Sequence, residues 1–392
     1  MDFICVYFRM NGHVVIHYLI AAAGILLTVY ALLIFYYHKS WNQIPYTCEL
    51  SPDAIPAIKV SVIIPARNEA SHIEKCLDSL LSQSYPSEWM EVVVVNDFST
   101  DNTATLVTEH PLHCKLVNLS DHISGYINSY KKKAIETGIG LSSGELIICT
   151  DADCSMGRDW IRELVYAYQK ENLHFIAAPV KIISNGTWLS IFQILDFISL
   201  QGITGAAVYK KLYPMCNGAN LAYTRKAYDA VGGFLDINHI ASGDDMLLMK
   251  KIQSKYPDKI HYLKDAAAIV YTAPADNIRA FLNQRIRWAS KISHYEHPAT
   301  FMTLALVYLT NLSLLLLFIL CFFYGHWRWL LILIAFKTIS EYFFVTRVAG
   351  FFQQQSLMKY FPLCQPFHIL YTVIAGGFGS FGKYEWKNRK VK

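Results

Sequence analysis

The sequence predicts an α/β domain on a mostly parallel sheet, with membrane-spanning helices at its N- and C-terminal ends. Three observations predict it. Short apolar, β-branched runs alternate with helical stretches between about Tyr46 and Tyr295. Apolar stretches long enough to cross a bilayer lie on either side. An acid–small–acid triplet, Asp151-Ala152-Asp153, closes one of the apolar runs. Continuous apolar strands separated by helices imply a parallel sheet covered on both faces.

Taken in order, His13–Tyr37 contains no Lys, Arg, Asp or Glu, enough to span a hydrocarbon core of roughly 30 Å. It is longer than a signal-peptide core and lacks a small-x-small cleavage site, so it reads as an uncleaved anchor. Tyr36, Tyr37 and Trp41 suit the interface, and His38 and Lys39 favour that end inside. The soluble segment then alternates. Val60–Ile64 is a strand, and Glu69–Ser84 a helix with Ile73, Cys76, Leu77, Leu80 and Leu81 at helical spacing. Glu91–Val95, Lys115–Leu119 and Glu145–Cys149 read as strands, with helices at Ser99–Glu109 and Tyr130–Leu141 between them. Trp188–Tyr209 is a long apolar helix, either interfacial or buried. Asn277–Ile292 is amphipathic and basic, with Arg279, Arg285, Arg287 and Lys291.

Beyond Pro298, one apolar run reaches Tyr324 and a second follows the Trp327-Arg328-Trp329 turn to about Val345. Lys337 and Glu341 fall inside the second run, one helical turn apart, as an ion pair or as packing polar groups. Phe361–Phe381 is interrupted by Pro362, Pro366, Gly376, Gly377 and Gly379, and the tail beyond it is basic. A full span there would put those charges outside, against the positive-inside rule, whereas a broken or interfacial segment keeps them inside. The segments are therefore an anchor at 13–37, a catalytic domain at 46–297 and a membrane region at 299–382.

Composition excludes several classes. At 392 residues, 53% hydrophobic and 17% charged, the chain is too apolar for an ordinary soluble enzyme. The net charge of +5 is dispersed, and no aromatic-interleaved basic patch points to nucleic acid. Nine cysteines show no CxxC and no paired Cys/His spacing, which disfavours zinc and a disulfide framework. No GxGxxG follows the first strand and no GxxxxGK[ST] occurs, which disfavours dinucleotide and P-loop binding.

The polar groups fall at informative places. Asp151 and Asp153 are hard oxygen donors at a strand's carboxyl end, suited to Mg²⁺ or Mn²⁺ against a diphosphate. Asp97 ends the Glu91–Val95 run and can accept from a base N–H or a ribose hydroxyl; a turn role is its structural alternative. Asp244 and Asp245 open a helix after Ser242-Gly243, with capping as the alternative. Gln284, Arg287 and Trp288 lie one turn apart on the basic helix, where Arg suits bidentate contact with phosphate.

In this order, the residues resemble glycosyltransferase family 2, the inverting enzymes of the GT-A fold. They resemble in particular its membrane-anchored branch, which includes cellulose synthase, hyaluronan synthase and ceramide glucosyltransferase. The resemblance covers about Lys59 to Lys291. VSVIIPARNEASHIEKCLDSLLSQSYP matches the opening strand and helix, and NGANLAYTRKAYDAVGGF an acceptor-side strand and helix. It implies that Asp97 contacts the nucleotide base, Lys133 the diphosphate, and Asp151 and Asp153 the metal and sugar nucleotide. Asp245 falls on the general base, and Gln284, Arg287 and Trp288 match QxxRW. Asn96-Asp97 stands for the usual Asp-Asp, and Asp244 for the Glu of GED.

The expected activity is metal-dependent transfer of a sugar from a nucleotide-sugar, UDP by analogy, to a lipid or glycan acceptor at the cytosolic membrane face. Arg287 and Lys133 would neutralise the leaving diphosphate, and Trp288 would floor the acceptor. A processive polysaccharide synthase is the alternative. A catalytically silent scaffold and a nucleotidyltransferase fit less well, because the acidic positions are retained in order beside QxxRW.

Overall fold

The computed structural model describes residues 2–46, 57–123, 127–240, 243–290, 298–379, 384–386 and 389–391. Ser242, Lys291, Ile292, Tyr295 and Phe381, named above, and Lys383, Lys387 and Lys392 of the basic tail lie outside the described residues. The described chain divides into two compact units, which cut it differently from the segments drawn from sequence. One comprises Met1–Trp41, Ile191–Gly202 and Asp276–Gly382; the other comprises Asn42–Ser190, Ile203–Ala275 and Lys383–Lys392.

The α/β unit is built on a seven-stranded sheet. In chain order its elements are β1 (Val60–Ala66), α2 (Ile73–Leu81), β2 (Met90–Asn96), α3 (Thr103–Glu109), β3 (Lys115–Asn118), α4 (Tyr130–Gly140), β4 (Leu146–Cys149), β5 (Cys154–Met156), α5 (Trp160–Glu171), β6 (Phe175–Ala177) and β7 (Val180–Ile182). After the long helix α6 (Trp188–Tyr209) come β8 (Leu221–Thr224), α7 (Arg225–Ala230), α8 (Met246–Lys255), β9 (Ile260–Tyr262) and β10 (Val270–Thr272); α1 precedes them all as Asp2–Gln43. The sheet order is β3-β2-β1-β4-β8-β6-β9. β8 runs antiparallel to both its neighbours, and the other pairings are parallel.

The central strands explain themselves. Val60, Val62, Ile63 and Ile64 of β1 are fully buried, as are Val93, Val94 and Val95 of β2. β-branched side chains pack well on a pleated surface covered on both faces. The chain adds β2 and β3 on one side of β1 and then crosses to put β4 on the other. That reversal is a topological switch point, and open α/β sheets bind ligands beyond the strand ends there. A smaller sheet, β5-β10-β7, follows β4 directly.

The helical unit contains α1, the middle of α6, α9 (Ile278–Ala289), α10 (Pro298–Tyr324), α11 (Trp327–Phe351) and α12 (Phe361–Gly379). Among the described residues, four helices are long and apolar enough to cross a membrane: 14–43 of α1, α6, α10 and α11. They are not alike. Of the apolar window in α6, 78% is buried inside the protein, against 22% to 33% in the other three. Thus α6 is a core helix, and α1, α10 and α11 present apolar surface outward. Phe361–Gly379 forms one helix with Pro366 inside it, packed on α9 and α10.

Candidate active site

The acidic triplet sits where a turn joins the two sheets. The Cys154 amide donates to the Asp151 carbonyl (3.1 Å), so Asp151-Ala152-Asp153 is bent across the carboxyl end of β4. Ala152 is buried while the Asp153 side chain is exposed. Asp97, beyond β2, is 2% exposed and its amide donates to the Ala66 carbonyl (2.8 Å) at the end of β1. Here the backbone is strained: Phe98 has φ 53°, a left-handed conformation costly for a bulky L-residue. The Arg67 guanidinium secures it, donating to the carbonyls of Asp97 (2.8 Å) and Phe98 (3.0 Å). Asn96, in place of an acid, is committed to the turn. It accepts from the Ser99 amide (3.0 Å) and donates to Asn118 (3.0 Å).

Three consecutive lysines at the start of α4 do three different jobs, because successive helical positions point about 100° apart. The Lys131 ammonium lies 2.8 Å from Asp151 and 3.3 Å from Asp244. Lys132 is buried and donates to the carbonyls of Ile237 (2.7 Å) and Ile240 (2.6 Å). Lys133 pairs with Glu136 at 2.8 Å, on the helix surface. The lysine at the acidic cluster is therefore Lys131; the sequence pointed to Lys133.

Lys132 also explains why Asp244 and Asp245 arrive there. With Asn128, which donates to the His239 carbonyl (2.9 Å), it holds the 237–240 loop against α4. Gly243 then turns the chain at φ +79°, open to glycine at little cost. Asp245 caps α8, accepting from the Met246 amide (2.7 Å), and its other oxygen accepts from the Gly218 amide (3.2 Å). A methyl group on Gly218 would meet Asp244 and Lys131 at 3.2 Å. The loop Asn217-Gly218-Ala219-Asn220 is itself fixed by buried Asn220. Its side chain takes the Trp160 indole N–H (2.9 Å) and donates to the carbonyls of Pro179 and Ala268.

The electrostatics follow. Burial alone would lower the Lys131 ammonium, but Asp151, Asp244 and Asp245 outweigh it and hold the group above the ordinary lysine range. Three carboxylates around one ammonium leave negative charge in excess. Among the described residues no three His, Cys, Asp or Glu side chains form a closed metal cage. At the end of β4, Asp151 is paired with Lys131 and the Asp153 side chain is exposed. Burial pushes the nearby Cys149 thiol up to about 12, despite its contact with the Tyr223 hydroxyl.

Gln284, Arg287 and Trp288 belong to the helical unit. Between them stands Arg285, to which the basic pattern of the helix assigned no role of its own. It is 4% exposed, with its guanidinium over the rings of Phe281 (4.7 Å) and Trp288 (4.2 Å). It pairs with Asp196 of α6 at 2.5 Å and donates to Gln284 (3.1 Å). Trp288 also lies 6.2 Å from Phe197, ring centre to ring centre. Asp196 accepts a further hydrogen bond from Tyr371 of α12. The partner of Arg285 was not legible, since it lies 89 residues away on an apolar helix.

Classification comes from residues 61 to 232, which match the description Glycosyl transferase family 2. Residues 61–232 form a glycosyltransferase family 2 domain. A probable glycosyltransferase of Bacillus subtilis, YdaM, is 26% identical over 234 residues, 59% of this chain and 54% of that protein. The poly-beta-1,6-N-acetyl-D-glucosamine synthase of Staphylococcus epidermidis is 25% identical, over 59% of this chain and 53% of the synthase. The chain thus spans about half the length of these two relatives. Among solved structures, a mannosyltransferase from Pyrobaculum calidifontis, in complex with GDP-Man and Mn²⁺, aligns with TM-score 0.55 and 19% identity. It covers 91% of this chain and 99% of its own. The family 2 domain therefore has the expected GT-A fold.

Proposed function

We propose that this family 2 chain is an inverting glycosyltransferase that moves one sugar from a nucleotide diphosphate to a lipid or lipid-linked acceptor. The observation that carries the reading is the Lys131 cluster: Asp151, Asp244 and Asp245 around one ammonium at the switch point of a parallel sheet. In this reading Asp97 accepts a hydrogen bond from the base or ribose, and Asp151 and Asp153 hold Mg²⁺ or Mn²⁺. The cation supplies charge neutralisation to the departing diphosphate. Lys131 is better placed than Lys133 for the same task, since Lys133 already faces Glu136. Arg287 is a further candidate for the diphosphate, and Gln284 and Trp288 for the acceptor.

Asp245 is the proposed base. The amides of Gly218 and Met246 hold its two oxygens in a fixed direction, as a base must be held to meet an acceptor hydroxyl within hydrogen-bond reach. One displacement then suffices: the hydroxyl oxygen bonds the anomeric carbon, its proton goes to Asp245, and the diphosphate leaves with the bonding pair. Asp244, 3.3 Å from Lys131, orients that lysine. The apolar outward faces of α1, α10 and α11 support membrane embedding, and a catalytic unit on the cytosolic side agrees with Lys39.

The test is transfer by membranes containing the full chain, supplied with labelled nucleotide-sugars and Mn²⁺ or Mg²⁺. A discrete organic-extractable product, lost on adding EDTA, is expected. A ladder of polymeric label would replace single transfer with processive synthesis. No transfer from any donor, with no UDP binding, would overturn the reading.

A further inference from the structure

The small sheet begins one residue after Asp153, and one of its faces is unused by the donor chemistry. Register places Ser155 of β5, Tyr271 of β10 and Lys181 of β7 side by side across the three strands. Their sequence neighbours Cys154, Met156, Val180, Ile182 and Val270 are buried. Side chains alternate along a strand, so the row Ser155–Tyr271–Lys181 lies on the opposite face, where all three are half-buried. The Lys181 ammonium is 6.0 Å from the centre of the Tyr271 ring. Among the described residues it makes no ion pair, whereas Lys131, Lys133 and Lys211 each face a carboxylate. Burial draws Lys181 below the ordinary lysine value with nothing to offset it.

A half-buried cation without a counter-charge is costly unless an anion arrives. Apolar surface lies alongside. The Ile183 amide donates to the Thr272 carbonyl (2.9 Å), extending β7, so Ile183 lies on the same face as Lys181 and is 41% exposed. Trp188, opening α6, is 42% exposed. Cation beside exposed apolar side chains matches an amphiphile with an anionic head.

We infer that Lys181, with Tyr271, receives the phosphate of a phosphate-linked lipid acceptor, and that Ile183 and Trp188 meet its first hydrocarbon units. The inference rests on the transferase reading, and it narrows the acceptor from lipids in general to those carrying phosphate.

The experiment uses the full chain in phosphatidylcholine nanodiscs, with farnesyl phosphate, farnesol and inorganic phosphate as separate probes and UDP with Mn²⁺ as the donor-side control. Farnesyl phosphate should bind the parent and Lys181→Arg alike, and at least tenfold more weakly to Lys181→Met, which keeps the apolar stem. UDP binding should be equal in all three, as should thermal melting. Equal farnesyl phosphate binding by Lys181→Met, or farnesol binding as tightly as its phosphate, would overturn the inference. Inorganic phosphate competing as strongly as farnesyl phosphate would overturn its lipid part. Loss of UDP binding in the parent would instead strike the transferase reading, so the two failures are separable.

Discussion

Two charged clusters in this molecule use the same residue types to opposite ends. In the α/β unit, Asp151, Asp244 and Asp245 surround Lys131, and 22% of that lysine's side chain remains exposed. In the helical unit, Lys337 donates to Glu341 (2.7 Å) and Gln365 (2.8 Å), Gln365 donates to the other Glu341 oxygen (2.6 Å), and the Tyr30 hydroxyl donates to Glu341 (2.5 Å). His368 lies 3.4 Å from Lys337 and 3.9 Å from Asp196, linking this group to the Arg285–Asp196 pair. The second network is charge-balanced, closed from solvent and multiply hydrogen-bonded; Lys337 is 0% exposed. The first is unbalanced and open. Balance marks groups that hold helices together, and excess charge at a strand end marks a place for a ligand.

The comparison breaks most sharply at the proposed base. Asp245→Asn keeps the size and one of the two backbone hydrogen bonds, since its amide nitrogen cannot accept the other N–H, and should cut transfer by about 10²–10⁴-fold, the usual worth of a positioned base. UDP binding with Mn²⁺ should persist in that variant, measured by calorimetry. If UDP binding falls as far as transfer, Asp245 belongs to the donor site and the base lies elsewhere.

Next in size is Arg285→Ala, which strands Asp196 in the interior. Removing one partner of a buried pair costs about 3–5 kcal/mol. The full chain should melt markedly lower, while Lys131→Ala, in the open cluster, should leave melting nearly unchanged and impair transfer. Similar melting of the two variants would erase the distinction between a structural and a ligand-facing cluster.

The smallest effect concerns Glu163 in α5, a buried carboxylate that burial, then Asp265, raises to about 7. Its folded pKa lies above the unfolded value of about 4.3. The stability it contributes is therefore present below that unfolded value and fades as pH rises through 7. Melting should fall between pH 5 and pH 8 by a contribution on the order of 1 kcal/mol after solvent screening. Glu163→Gln should flatten that part of the profile, and an unchanged slope would show that the carboxyl is solvated.

The sequence by itself determined the α/β pattern, the apolar end helices and the acidic positions. Each is a local signal: β-branched runs, charge-free length, and carboxylates at fixed offsets from strand ends. Val60–Ile64, Glu91–Val95 and the Asp151-Ala152-Asp153 turn were legible for that reason. What only the tertiary structure decided is which polar groups meet. Lys131, Lys132 and Lys133 are one undifferentiated run in sequence, and helical phase against β4 and the 237–240 loop assigns them a site, an anchor and a surface pair. Arg285 and Asp196 became partners only when α6 and α9 packed, and the long apolar α6 proved a core helix, where the sequence left an interfacial helix equally open. Local chemistry fixes what an element is; contacts between elements far apart in the chain fix what its side chains face, and those depend on packing that no short window contains.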